Sequence, residues 1–328
     1  MNMNGINKKS ILRWFPGSQL GRTLKGAFLE WNEDKVPRMA AAIAFYAVFS
    51  LTPIVVIGFK VAQWSFGPEI ALREILDQAA FLIGKDGAEA IRVLIANAQP
   101  RAASSLATAI GLATMIFATT GMFTELKDSL NTIWEVQPKP GLGLMQMVRD
   151  RFFAFAMVLV IWFLMLVSLM TSVAMTAFTR FASTYVTGFK FVEFGLSLAL
   201  ITFLFALIYR VLPDVTVAWR DVWLGAIVTA GLFVAGKSLF GLYLGHSTIG
   251  TSYGAAGSLV IVILWVYYSC LILLFGAEMT QVQARLHHTP VAPTEVAVHV
   301  TEHARAQQGI PRTEDIEQAV REQSKTSP

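Results

Sequence analysis

Charge is scarce in this sequence. Only 15% of its 328 residues are Asp, Glu, Lys or Arg, against roughly 25% in an average soluble domain. A water-exposed surface for so long a chain cannot be built from so few charges. Cysteine is scarcer still: the lone Cys270 lies inside an apolar run, which excludes an intrachain disulfide and leaves the thiol as a small buried or lipid-facing group. The histidines are His246, His287, His288, His299 and His303. No HExxH and no paired CxxC accompanies them to hold a catalytic metal, and the i,i+4 pair His299 and His303 stands in a polar tail. A phosphate-cradling glycine loop and a GxSxG elbow are also missing. These absences argue against the soluble-enzyme classes, so no catalytic residue, cofactor or metal is expected. No leader peptide is expected either, because the first long apolar run opens only near Met39, after a polar, basic segment.

What the chain has in abundance is charge-free length. A helix needs about 20 apolar residues to cross a bilayer. MAAAIAFYAVFSLTPIVVIGF lies between Arg38 and Lys60, AASSLATAIGLATMIFATTGMFT between Arg101 and Glu125, and a third gap runs from Phe152 to Thr179. Later, no Asp, Glu, Lys or Arg occurs from Ser238 to Ala277. The expected fold class is therefore all-α: a polytopic transmembrane bundle of about six spans with amphipathic interfacial helices. The spans are expected at about 39–63, 102–124, 152–178, 189–211, 222–244 and 256–279, the last ending around Glu278. They form a membrane domain over 39–285, between an N-terminal segment (1–38) and a polar tail (286–328) expected to be disordered.

Basic residues near span ends set orientation. Lys8, Lys9, Arg13, Arg22, Lys25, Lys35 and Arg38 precede the first span, Lys127, Lys139, Arg149 and Arg151 fill the second connection, Arg210 and Arg220 the fourth, and Arg285 opens the tail. The third connection has only Arg180 and Lys190, and the fifth has none. The first departs from the pattern with Arg73, Lys85, Arg92 and Arg101, balanced by acids. Both termini are expected in the cytoplasm. Two further segments read as amphipathic helices: SQLGRTLKGAFLEWNED, with Leu20, Leu24, Phe28 and Trp31 at helical spacing, and PEIALREILDQAAFLIG, with Ile70, Ile75, Leu76, Ala79 and Ile83. Each reads as a packed cap over the bundle or as a lipid-sensing or gating element.

Ionisable residues inside spans are candidate functional groups because they are costly there. Glu193 begins the fourth span, Lys237 lies within the fifth, and Lys60 ends the first. All three fall toward the outer side, where they could line a polar pocket; the alternative is that the lysines snorkel to the headgroups. Gly241, Gly245, Gly250, Gly254 and Gly257 recur between the last two spans. They permit close helix packing or, at Gly250, Gly254 and Gly257, a broken helix that contacts substrate. Pro53 removes a backbone donor from the first span and kinks it, as a hinge or as a packing adjustment.

Five segments together carry a resemblance: AAAIAFYAVFSLTPIVVI, ELKDSLNTIWEV, YRVLPDVTVAWRDVWLGA, KSLFGLYL and TSYGAAGSLVIVILWVYYSCLILLFGAEM. In this order, from about residue 25 to 285, they resemble the YihY/BrkB family of bacterial inner-membrane proteins. The resemblance implies a six-span protein of the cytoplasmic membrane. Members carry the labels ribonuclease BN and virulence factor, and the first finds no nuclease site in these residues. The expected function is transport or translocation of a solute or envelope lipid. The rival is a membrane scaffold for envelope-assembly proteins, docking through Glu125 to Arg151 with Leu130, Asn131 and Trp134 as its key residues. Membrane lipids are the expected partners, with no nucleic acid, and self-association is left open.

Overall fold

The charge-poor runs fold as helices because a chain in lipid must satisfy every backbone N–H and C=O within itself. The computed structural model describes residues 19–97, 121–139, 186–246 and 257–312, and most of these residues are helical. The helices among them are α1 (Gln19–Glu33), α2 (Val36–Phe66), α3 (Pro68–Asn97), α4 (121–133), α5 (Val186–Val211), α6 (Trp219–His246), α7 (Gly257–Leu286) and the short α8 (Glu302–Gln307). β1 (Val136–Pro138) pairs antiparallel with β2 (Ala297–His299), in the register Gln137 opposite Val298.

Among the described residues, three helices are long and apolar enough to cross a membrane: Phe194–Val211, Trp219–Phe240 and Val260–Leu286. They coincide with the fourth, fifth and sixth expected spans. α2 covers the first, with an apolar stretch at Val36–Ser50. The third expected span, and the second up to residue 120, lie outside the described residues.

α7 is the central element, packed against α1, α2, α3 and α6. It approaches α6 closely where two glycines, Gly225 and Gly276, face across the interface. A methyl group at Gly276 would collide with the Thr229 and Tyr209 hydroxyls, and one at Gly225 would collide with Thr280. Tyr209 Oη uses the space by donating to the Leu273 carbonyl (2.8 Å) and lying 2.8 Å from Thr229 Oγ1. Around this contact runs the main core, which includes Ile43, Leu130, Ile133, Tyr209, Val222 and Leu274. α2 and α3 meet at Gly67, whose φ of +83° turns the chain between them, and share a smaller cluster of Phe59, Ala71, Ile91 and Ile95. The α3 segment expected to be amphipathic is helical, and Ile75, Leu76 and Ala79 pack on that cluster.

Two expectations are corrected. α7 does not stop near Met279 but continues to Leu286, and residues 276–284 are buried on every side. Hydropathy falls there because Glu278, Thr280, Gln281 and Gln283 are polar, yet neighbouring elements cover this stretch: Thr280 packs at Gly225 of α6, Gln281 bonds the end of α4, and Gln283 bonds α1. The tail, expected to be disordered, folds back over residues 287–312. It supplies β2, the bridge between Pro293 and Val215, and the buried side chains of Arg305 and Ile310.

A buried polar site at one end of the bundle

Four chain segments far apart in sequence converge at one end of the bundle. They are α1 with its link to α2, the end of α4 with β1, the α5–α6 link, and the end of α7 with the tail. The described non-glycine residues with positive φ, Lys35, Glu135 and His288, all lie here. Each sits where the chain leaves a helix and turns back into the cluster, a conformation that non-glycine residues adopt at some cost.

The first knot joins two motifs. Asp214, in the α5–α6 link, receives Asn131 Nδ2 (3.0 Å) and Lys127 Nζ (2.9 Å) on its carboxylate, while its own backbone N–H donates to Asn131 Oδ1 (2.8 Å). An asparagine can donate and accept at once, so Asn131 fixes both the side chain and the backbone of Asp214. Gln281 of α7 adds a bond to the Ile133 carbonyl.

The second knot is ionic. Glu135 accepts from Arg285 (2.9 Å) and Arg312 (2.7 Å), with Arg305 Nη1 at 3.7 Å. Arg285 also reaches Glu30 of α1 (3.1 Å), and Arg305 donates to Asp34 (2.7 Å). Burial works to raise the Glu135 carboxyl, but Arg285, Arg312 and Arg305 together hold it below the usual carboxylate range. At Asp34 the balance is reversed: burial pushes the carboxyl up to about 6 against the pull of Arg305, with Glu30 and Glu135 adding to the rise. Within reach of the same charges is Glu278 of α7, fully buried, with no hydrogen-bond partner among the described residues for either carboxyl oxygen.

A third network ties three helices together. Thr23 of α1 donates to Gln283 Oε1 (3.0 Å), Gln283 Nε2 lies 3.0 Å from His287 Nε2, and His287 Nδ1 lies 2.7 Å from Asp221 of α6. With the Gln283 oxygen facing Thr23, its NH2 donates to the imidazole. His287 Nδ1 therefore carries the hydrogen directed at Asp221. Beside Glu135 a half-open cavity of about 370 Å³ is lined by Asn131, Thr132, Gln137, Arg305 and Gln308, among others. Among the described residues no group of three or more His, Cys, Asp or Glu is placed to hold a metal ion.

The expected site residues are distributed differently. Lys60 is exposed on α2 and Lys237 is half-buried on α6. Glu193 lies on α5, but its side chain is outside the described residues, so the pocket expected from these three is not described. Gly250 and Gly254 also lie outside the described residues, and Gly257 is the first described residue of α7. α2 runs unbroken through Pro53, with Ser50 Oγ donating to the Ala47 carbonyl (2.9 Å). Leu130, Asn131 and Trp134 do not form a docking surface. All three are buried, because α4 turns them toward the core and Asp214. The sequence reading missed Glu278, Asp34, Glu135 and Arg305. Glu278 is legible as an acid adjoining a 40-residue run without charge (238–277), a position that hydropathy alone assigns to the end of the span.

The family model described as Virulence factor BrkB matches residues 27–297. The chain belongs to the BrkB family. BrkB relatives include UPF0761 membrane proteins of Ralstonia nicotianae (27% identical, over 82% of this chain and 60% of that protein), Azotobacter vinelandii (28%, over 77% and 60%) and Alteromonas mediterranea (28%, over 79% and 87%). The chain spans about three fifths of the length of the first two. No solved structure matches it. As a BrkB-family chain with several long apolar helices, this is a multi-pass integral membrane protein. The BrkB match begins within α1 and ends at the start of β2. It thus includes Glu30, Asp34, Glu135, Asp214, Asp221, Glu278 and His287, whereas Arg305 and Arg312 lie beyond it.

Proposed function

We propose that this protein moves a solute or an envelope lipid across the bacterial cytoplasmic membrane, with both termini in the cytoplasm, and that Glu278 is the charge-bearing residue of the cycle. The observation that carries this reading is the environment of Glu278. Burying a carboxyl group without a hydrogen bond costs several kcal/mol in either protonation state, and an ionisable residue inside an apolar span is a functional candidate for that reason. A structural role gives no return for the cost, since a leucine or methionine would pack α7 against α1 more favourably. Glu278 feels both signs of charge, from Asp34 and Glu30 and from Arg285 and Arg305, so a modest rearrangement could give it a partner as substrate or protons pass. For the scaffold reading, Leu130, Asn131 and Trp134 of its docking segment Glu125 to Arg151 are buried, and residues 140–151 lie outside the described residues.

Reconstituted proteoliposomes test the proposal with two probes: dithionite bleaching of a fluorescent phosphatidylethanolamine, and proton entry reported by an internal pH dye. At least one rate should exceed that of protein-free vesicles and fall about tenfold or more in Glu278→Gln, an uncharged near-isostere, without loss of folded protein. Background rates for both probes, or full activity in Glu278→Gln, would reject it. Lys237→Ala and Glu193→Ala test the residues first expected to carry the role.

A further inference from the structure

α1 is amphipathic in an unusual sense: it turns its small and polar side inward. Thr23, Gly26, Ala27 and Glu30 are buried, with Thr23 bonded to Gln283 and Glu30 paired with Arg285. The large apolar residues point away from the protein, and Leu20, Leu24 and Phe28 are 43%, 38% and 61% exposed. Wound at 3.6 residues per turn, these three make one continuous stripe, ending where Trp31 stacks on Phe28 (centroids 5.9 Å apart). A third side carries Gly21, Lys25 and Asn32, all exposed. A helix with one side to protein, one apolar side and one polar side fits the boundary between protein, lipid and water.

The level of that boundary is marked independently. At the same end of the bundle α6 begins with Trp219 and Trp223, partly exposed and stacked 6.2 Å apart, with Arg210 over the Trp219 ring at 4.6 Å. Exposed tryptophans at the end of an apolar span are the usual mark of the headgroup region. α1 is held against the last turns of α7, itself a membrane span.

We infer that α1 lies in the membrane interface at the polar end of the bundle, its Leu20–Leu24–Phe28 stripe set into the acyl-chain boundary of that leaflet. A stripe of this kind stabilises interfacial binding through the apolar area it removes from water. Its inner face then carries any displacement of α1 directly to Gln283 and Arg285. The inference needs the protein to span the membrane but not to transport anything.

Nitroxide scanning of the full chain in vesicles of phosphatidylethanolamine and phosphatidylglycerol tests it. Single labels at Leu24→Cys, Phe28→Cys, Asn32→Cys and Ile227→Cys, in a Cys270→Ala background, report collisions with oxygen and with a water-soluble nickel chelate. The oxygen-to-nickel ratio at positions 24 and 28 should approach that at Ile227, an exposed residue of the α6 span, and exceed that at Asn32 severalfold. Ratios at 24 and 28 equal to that at Asn32 would place the stripe in water and overturn the inference. Exclusion of both reagents would place protein over the stripe and overturn it too. A water-like ratio at Ile227 would instead remove the membrane placement of α6, and the inference with it.

Discussion

Asp34 and Arg305 come from opposite ends of the described chain and meet inside the protein, 2.7 Å apart, with 3% and 2% of their side chains exposed. Such a pair adds little net stability compared with well-packed apolar residues, but removing one partner strands the other and costs about 3–5 kcal/mol. Arg305→Met should therefore lower the melting temperature in detergent at pH 7 and expose residues 293–310 to protease. The effect should depend on pH, with a defined sign. The Asp34 carboxyl is raised to about 6 in the folded protein, so its contribution is complete below its ordinary value near 4 and is lost as pH rises through about 6. Without Arg305 the carboxyl is harder still to ionise. The gap between Arg305→Met and wild type should thus be small at pH 4 and widen toward pH 7. A gap independent of pH would mean that Arg305 acts through Glu135 instead. Nothing local announces this pair: Asp34 reads as a helix-end residue, and Arg305 sits in a stretch with little apolar content. Their partnership depends on a fold-back that periodicity cannot report.

Helices were the most legible elements, because a charge-free run of span length has few other ways to satisfy its backbone in lipid. α5, α6 and the helical course of α2 follow from that rule alone. The end of α7 does not, since a hydropathy criterion stops at Glu278 while burial by neighbouring elements extends the helix two turns further. β1 and β2 were illegible for a related reason: each is three residues long and depends on a partner about 160 residues away. Close packing by glycine was expected in the connection at 241–257, of which residues 247–256 lie outside the described residues; between the described parts of α6 and α7 it occurs at Gly225, Gly236 and Gly276, which that expectation did not include. This gives a paired prediction. Gly276→Ala drives a methyl group into the Tyr209 and Thr229 hydroxyls, and overpacking of this kind costs about 1–3 kcal/mol. Gly231→Ala, on α6 with nothing within 4 Å of the added methyl, should be neutral or stabilising by up to about 1 kcal/mol through helix propensity. Thermal unfolding of both variants in the same detergent checks the contrast, and equal melting temperatures would mean that α6 and α7 do not approach at Gly276.

At the scale of the molecule, the segments that meet at the polar end are those that an even number of spans would place on one side of the membrane: the N-terminal segment, the second and fourth connections, and the tail. Lysine and arginine counts pointed to the same grouping, and contacts such as Asn131 with Asp214, Arg285 with Glu30, and β1 with β2 join its members physically. α2 extends from this end for 31 residues, roughly 46 Å at 1.5 Å per residue, more than the ~30 Å hydrocarbon core. Gly67 and Glu69 therefore belong to the opposite face. The grouping is the same for either orientation, and the excess of basic residues at the polar end is what supports the proposed cytoplasmic placement of that end. Cysteines placed at exposed Lys139, Arg220 and Gln308, in a Cys270→Ala background, should resist a membrane-impermeant maleimide in intact cells and react once the cells are permeabilised. A cysteine at Glu69 should react in both. The reverse pattern would invert the protein without disturbing its fold, and it would place the carboxylate and guanidinium groups around Glu278 on the side from which an external substrate enters. A mixture of protected and reactive sites among the three polar-end positions would be more damaging, because those segments could not then share the contacts that hold Asp214, Glu135 and Asp34 together.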